Sequence, residues 1–353
     1  MSTAFILVPG ALLPVEPYAN LDPSSVEALN RLAGDADKAV AQRMPFETFA
    51  RLPHYAWLWR VLSRETTPPG VAPWLWTGAG ARPIAPELWR LVPASVGADG
   101  RIKELLAFDE EDVPLVISPV EKALGTAGMR LQLWDNVFYG SRADAWGAAT
   151  VPGRSLLGEV PGKTVVVGDE AAHRALDEAL TRAVTESGVN EARAARGLPA
   201  IDVLLAVDGG AYRRFAHPTL MRSVVSEDPV IRGWAESAGI PPAYITAGTD
   251  KGAWPAEAPD GDVIAVIDDL IEPKLASDWG LWAERLPGAV AKVEAFRASA
   301  AAREAEATLV ICFGDAQAVT LAREKKGLLK KLFRSGDKLT PDIWCPERGP
   351  DMS

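Results

Sequence analysis

Cysteine and histidine are scarce in this sequence. Its 353 residues include two cysteines, Cys312 and Cys345, and three histidines, His54, His173 and His217. A disulfide framework or a zinc site needs such residues in closely spaced groups, and none is present. Cys312 lies within the run Thr308-Leu309-Val310-Ile311-Cys312-Phe313, which reads as a buried strand. Metal-assisted phosphoryl transfer gathers several oxygen or nitrogen ligands around each cation, and no two histidines share a ligand spacing. No metal, no cofactor and no catalytic residue is therefore assigned. His173 is predicted on the surface of a helix, and His54 and His217 as structural or solvent-facing.

Long hydrophobic runs are also missing. No stretch approaches the roughly 20 residues of a membrane span. The opening Met1-Ser2-Thr3-Ala4-Phe5-Ile6-Leu7-Val8-Pro9-Gly10 has no basic residues, and its apolar run is too short for a secretory leader. The expected compartment is the cytoplasm. Positive charge is in deficit: 37 Lys and Arg against 47 Asp and Glu leave a net charge of −10, which argues against nucleic acid as a partner. There is no Walker loop and no Gly-x-Ser-x-Gly elbow, and the glycines make no dinucleotide fingerprint.

What is present reads as a globular α/β chain. Apolar residues make up 48% and charged residues 24%, enough to bury a core and solvate a surface. One compact domain over 1–353 is expected, with two lobes meeting near residue 160 as the alternative. Strands are predicted at Ala4–Val8, Arg130–Trp134, Ile201–Val207, Arg222–Ser226, Asp262–Asp268 and Thr308–Phe313, the last clear one. A short strand is also expected at Trp74-Leu75-Trp76, within an irregular loop over 68–86. Helices are predicted from near Val26 to Arg51, and from an Asp169 cap through Leu176, Leu180 and Val184 to Gly188. Two more are expected, one from Pro229 and one through Trp279 and Trp282 that Pro287-Gly288 interrupts. Strands and helices alternate between 163 and 313, which implies a mixed sheet flanked by helices. The N-terminal half is more irregular.

Four features carry candidate chemistry. The first is Val189-Asn190-Glu191-Ala192-Arg193-Ala194-Ala195-Arg196-Gly197-Leu198-Pro199. Arg193 and Arg196 share a face of a helical turn, Asn190 is an amide beside them, and Gly197 permits a positive φ. Asn190, Arg193, Arg196 and Gly197 are thus candidates for binding a small anion. The alternative is that Arg193 satisfies backbone carbonyls and locks the connection to the Ile201 strand. The second feature is the basic segment 323–338 of an otherwise acidic chain. It overlaps a mostly helical element expected from Ala316 to Arg334 and is a possible protein-partner surface. The third is the set of acidic runs. Asp109-Glu110-Glu111-Asp112 is expected as a solvated loop, and Asp268-Asp269 as a cap for the turn that follows them. The fourth is the twelve tryptophans, among them Trp57, Trp59, Trp74 and Trp76, expected mainly in core packing.

The stretch Val189 to Pro199 resembles a motif of the phosphoglycerate mutase-like family of the alkaline-phosphatase superfamily, in which Val189, Asn190, Arg193, Gly197 and Pro199 match. Ser226-Glu227-Asp228-Pro229-Val230-Ile231-Arg232-Gly233-Trp234-Ala235 looks like that family's next helix start. Asp278-Trp279, after Asp268-Asp269-Leu270, and the opening Leu7-Val8-Pro9-Gly10 are similar to its shorter proteobacterial branch, which includes Rpf-cluster regulatory proteins. The resemblance spans about residues 155–340. The family's His-Pro is Ser187-Gly188 here, its later Asn is Asp202, and its metal clusters and nucleophilic serine have no counterpart. It implies an α/β fold of alkaline-phosphatase-like lineage in a bacterial pseudoenzyme, a non-catalytic regulatory or small-anion-binding protein. The alternatives are an active cofactor-independent phosphoglycerate mutase or related phosphotransferase, and a protein-interaction scaffold.

Overall fold

A computed structural model describes residues 2–34, 36, 38–44, 51–65, 70–82, 87–163, 166–217, 219–249, 254, 261–299, 302, 304–322 and 341–345. In chain order the first elements are β1 (Thr3–Pro9), α1 (Val15–Ala19), α2 (Pro23–Ala33), β2 (Lys38–Arg43), α3 (Pro53–Ser63) and α4 (Ala72–Gly78). Next come β3 (Glu87–Val96), β4 (Ile102–Leu105), α5 (Val113–Thr126), β5 (Arg130–Trp134), β6 (Val137–Arg142), β7 (Ala148–Thr150) and β8 (Val166–Gly168). Then follow α6 (Glu170–Thr185), α7 (Val189–Ala195), β9 (Val203–Gly210), β10 (Met221–Ser226), α8 (Pro229–Ser237) and β11 (Ile245–Thr246). The last are β12 (Asp262–Val266), α9 (Ile271–Leu275), α10 (Trp279–Ala298), β13 (Ala307–Phe313) and β14 (Gln317–Ala322). Two compact units result, one of residues 1–68 and 214–353, the other of residues 69–213.

The first unit is built on a mixed sheet in the order β11-β10-β12-β1-β13-β14-β2. β1 is central and runs parallel to both β12 and β13, with Leu7 opposite Val266 on one side and Ile311 on the other. A parallel strand covered on both faces must be apolar throughout, which Phe5-Ile6-Leu7-Val8 supplies. Alternate residues face opposite ways: Ala4, Ile6 and Val8 join a core cluster with residues of α2 and α10, while Phe5 meets Trp57 of α3. Helices thus flank the sheet on both faces. Cys312 is fully buried in this cluster. No helix among the described residues is long and apolar enough to cross a membrane.

Several expectations are corrected here. The helix expected from Val26 to Arg51 ends at Ala33, where Gly34 turns the chain at φ +61°, and Lys38–Arg43 is instead a strand paired with β14. The short strand expected at Trp74–Trp76 is part of α4, which has a proline in its first turn and buries both Trp74 and Trp76. Pro287-Gly288 does not interrupt α10. Burial of Trp282, Leu286, Val290, Val293 and Phe296 outweighs the hydrogen bond the proline removes. Phe313 does not end the last strand: Gly314 to Ala316 turn the chain into β14, so the described part of Ala316–Arg334 is extended and not helical. The basic segment 323–338 lies outside the described residues.

The second unit is an antiparallel sheet. β3 carries β6 and β4 along one edge and β9 along the other, and β5 completes the order β4-β3-β6-β5. β9 does not stop at Asp208. It continues to Gly210 with a register shift opposite Leu88 to Arg90, and Asp208 adopts φ +64°. Gly209 is required there because a Cβ would sit 2.1 Å from the Trp89 ring. α6 packs Leu176, Leu180 and Val184 against Leu204 and Ala206 of β9 in one apolar cluster.

Candidate functional site

The candidate residues of the 190–199 motif come together, and protein groups occupy them. The stretch after Gly188, at φ +81°, forms the short helix α7, as the helical turn expected for Arg193 and Arg196 implies. Asn190 holds the start of the following segment at both ends: its Oδ1 accepts from the Ile201 N–H at 2.8 Å, and its Nδ2 donates to the Ile201 carbonyl at 3.0 Å. Arg193 is 3% exposed. Its Nε donates to the Pro199 carbonyl at 2.7 Å, and its Nη1 reaches the Ala107 carbonyl and Asp112. Arg196 donates to Asp109 and to the other oxygen of Asp112, each at 2.5 Å. Gly197 turns the chain at φ +72°.

The acidic run is therefore not simply a solvated loop. Asp112 is fully buried under two guanidiniums, and Arg196 holds the Asp109 carboxyl below the usual carboxylate range. Nothing at 109–112 in the sequence signals a partner at 193–196, because the paired residues lie 81 to 87 positions apart in the chain. The arrangement is the one in which Arg193 locks the connection.

The remaining single features are quickly placed. His54 is fully buried edge-on to Tyr55, with ring centroids 4.7 Å apart, and His217 is exposed. Lys292 binds Asp269 at 2.8 Å, and the Asp268 carbonyl closes a turn with the Ile271 N–H. Trp59 and Trp74 are core residues, as is Trp76, whose Nε1 donates to the Arg82 carbonyl at 2.7 Å. Among the described residues no three His, Cys, Asp or Glu side chains converge as a metal site would require.

His173 departs most from expectation. It is 3% exposed, not on the helix surface. The reason is that β9 is an edge strand, and α6 lies along its open side. Four residues of helix rise about 6.0 Å and two residues of strand about 6.6 Å, so side chains at every fourth helical position can meet alternate strand residues. Thr181 and Asp177 meet Leu204 and Ala206 with that spacing, and His173, a turn earlier, reaches Ala206 as well. The Thr181 hydroxyl accepts from the Leu204 N–H at 3.2 Å and donates to the Leu204 carbonyl at 3.4 Å. Asp177 Oδ1 accepts from the Ala206 N–H at 2.8 Å, and His173 Nε2 donates to the Ala206 carbonyl at 2.7 Å. A polar stripe on one helix thus satisfies backbone groups that an open edge would leave unpaired. The i, i+4, i+8 stripe was in the sequence; that its target was a strand edge was not.

Each of these two side chains keeps one atom free of the strand. Asp177 Oδ2 and His173 Nδ1 lie 3.4 Å apart. The two residues border a cavity of about 480 Å³ between α6 and β9, within the usual size range of small-molecule sites, although His173 Nδ1 itself is buried. Its apolar wall includes Leu156, Val166, Val203, Leu205 and Val207. Arg174, Glu178 and Arg182 carry its remaining charges, and Arg174 is itself paired with Glu170 at 2.5 Å. Trp146 stacks on His173 at 5.5 Å between centroids, and Trp89 lies at 5.6 Å. Burial holds the His173 imidazole below its ordinary value and pushes the Asp177 carboxyl up to about 7.

The two shifts act oppositely on stability. Between Asp177's ordinary value of 3.8 and about 7, the folded chain keeps a proton that the unfolded chain has lost, so this group's contribution falls as pH rises. His173 is neutral in the fold at pH values where the unfolded chain takes up a proton, so its contribution falls as pH drops below about 6.5. Asp177→Asn keeps an acceptor for the Ala206 N–H and removes only the first effect. Urea melts are expected to show the variant gaining stability relative to the parent from pH 5 to pH 8; parallel curves would mean that Asp177 ionises normally in the fold.

No family model matches the chain, and no curated protein matches it in sequence. Among solved structures it is similar to the cofactor-independent phosphoglycerate mutase of Thermoplasma acidophilum, with 14% identity, 93% of this chain and 90% of that chain covered, and a TM-score of 0.42. It is also similar to the PH0037 protein of Pyrococcus horikoshii, with 13% identity, 91% and 87% coverage, and a TM-score of 0.46.

Proposed function

We propose that this chain is a non-catalytic, phosphoglycerate mutase-like protein that binds a small organic ligand in the cavity between α6 and β9. The observation that carries the reading is the cavity itself: about 480 Å³, walled by valine and leucine on the strand side and bordered by polar residues of α6, among them Asp177, Thr181 and Thr185. Apolar walls with a few convergent polar groups are the usual make-up of a small-molecule site. In this reading the 190–197 motif holds the unit together and does not bind the ligand, because its guanidiniums already bind Asp109, Asp112 and backbone carbonyls.

The test has two arms. In methyl NMR, neutral phenyl-alkyl probes such as phenethyl alcohol are expected to shift the methyls of Val166, Val203, Leu205 and Val207 before any others. The purified chain, supplied with Mn²⁺ and 3-phosphoglycerate, is expected to form no 2-phosphoglycerate. Turnover overturns the non-catalytic part, and probes that leave those methyls unmoved overturn the binding site.

A further inference from the structure

His173 Nδ1 lies where solvent does not reach. Nε2 of the same ring meets the Ala206 carbonyl, which only accepts, so Nε2 carries a proton. In the neutral ring Nδ1 is then a lone pair. It is buried, no described group hydrogen-bonds it, and Asp177 Oδ2 faces it at 3.4 Å. Asp177 Oδ1 accepts from the Ala206 N–H, so the carboxyl cannot turn away without giving up the strand. Two acceptors fixed in this way repel unless a donor lies between them. A proton on one of them needs no added room.

We propose that His173 and Asp177 are a proton-held latch: one proton between Oδ2 and Nδ1 keeps the first half of α6 on the open edge of β9, and loss of that proton releases it. Burial favours the neutral form of both groups, so the proton sits on Asp177 and is donated to the ring. With the proton gone, two lone pairs face each other in a desolvated place, and separation relieves them. Separation frees the Ala206 N–H and carbonyl together, because these two side chains hold both. Thr181, one turn further on, holds Leu204 through a hydroxyl that does not titrate in this range, so the second half of α6 stays docked. The cavity lies between α6 and β9, so release widens it from the His173 end. The latch does not depend on the cavity taking a ligand.

The charges around the pair are committed elsewhere or solvated. On α6 itself, Arg174 acts on both residues but is bonded to Glu170, and Glu178 and Arg182 are exposed. β9 brings Asp208, which is held by the Gly153 N–H, and β7 and β8 bring no charge. α5 turns Glu121 and Lys122 to solvent, while α7 spends Arg193 on Asp112 and leaves Glu191 exposed. Beside the ring, Glu87 of β3 accepts from Trp89 Nε1 and the Trp146 N–H. Between Asp177's ordinary value of 3.8 and about pH 6.5, a released Asp177 loses a proton and a released His173 gains one, so opening is level in pH. Above about 6.5 the released pair holds no proton while the closed pair still holds one. Opening then becomes easier as pH rises, by up to about tenfold per unit, until the closed pair ionises. Burial pushes the Asp177 carboxyl up to about 7, and the lone pair facing it acts in the same direction.

Residue-resolved hydrogen exchange on the full chain tests the latch. Corrected for its intrinsic rate, exchange at the Ala206 amide is expected to speed up at least about threefold from pH 6.5 to pH 8.5. Leu205 and Val207, which pair with β3, are expected to keep their protection. In Asp177→Asn the side-chain amide donates to Nδ1 at every pH, so Ala206 is expected to show no such rise. Carboxyl carbon shifts of the parent are expected to place the ionisation of Asp177 at or above neutral pH, with the His173 ring nitrogens responding in the same step. An Ala206 amide as level in pH as Leu205 and Val207 overturns the latch, and so does an equal rise in Asp177→Asn. A carboxyl that ionises near its ordinary value of 3.8 overturns the shared proton itself, on the parent chain alone.

Discussion

Arg193→Ala is expected to cost about 3–5 kcal/mol, the usual penalty for breaking a buried ion pair by removing one partner. The side chain is 3% exposed and its carboxylate partner Asp112 is fully buried. Removal takes a donor from three acceptors: the Pro199 carbonyl, the Ala107 carbonyl and Asp112 Oδ2, which keeps only the Asp109 N–H at 3.2 Å. Arg196 still holds the other Asp112 oxygen, which places the cost toward the lower end. Arg193→Lys is expected to recover only part of the loss, because a single ammonium cannot span the carbonyl of Pro199 and the carboxylate as the planar fork does. Urea denaturation at pH 7 measures both. Inorganic phosphate and 3-phosphoglycerate are expected to leave the parent's melting unchanged. A loss under about 1 kcal/mol, as for an exposed ion pair, would mean that the motif does not hold this connection. Stabilisation by phosphate that disappears with Arg193 would return the motif to anion binding.

Trp89→Ala is expected to be of similar size and to reach the cavity as well. Trp89 is fully buried, its Nε1 donates to Glu87 at 2.9 Å, and its ring lies over Gly209 and beside His173. Truncating a buried Trp leaves a large void and costs about 3–5 kcal/mol. The void also admits water next to His173, which relieves the burial that depresses its protonation. Two readouts are therefore expected together: a large loss in urea stability, and a His173 titration that moves up toward about 6.5 in a histidine-resolved NMR experiment. A stability loss with an unmoved titration would show that Trp146, stacked on the same ring at 5.5 Å, is sufficient to keep water out.

These two substitutions separate what a local stretch of chain can reveal from what it cannot. The helix α6 was readable: Asp169 accepts from the Ala172 N–H as a cap should, and Leu176, Leu180 and Val184 are the buried stripe their spacing implies. β1, β5, β10, β12 and β13 were readable from apolar runs and alternation. The same local signals misplaced Trp74–Trp76, where a proline-started helix buries two tryptophans that alternation assigned to a strand, and β2, where no apolar run marks an edge strand with polar Gln42 and Arg43.

Periodicity, caps and turn residues act within a few positions of themselves, and the sequence therefore determined by itself the α/β class, the main strands and the turn chemistry around Gly188 and Gly197. The tertiary structure decided the rest. It placed Asp112 under a guanidinium 81 residues later in the chain, and it set His173 and Asp177 against a strand edge about 30 residues away. The physical reason is that an ionisable or hydrogen-bonding side chain carries no intrinsic preference for its partner. Whether it is solvated, locked or turned into a cavity depends on which backbone groups the fold leaves unpaired, and those are set by strand order and not by neighbouring residues.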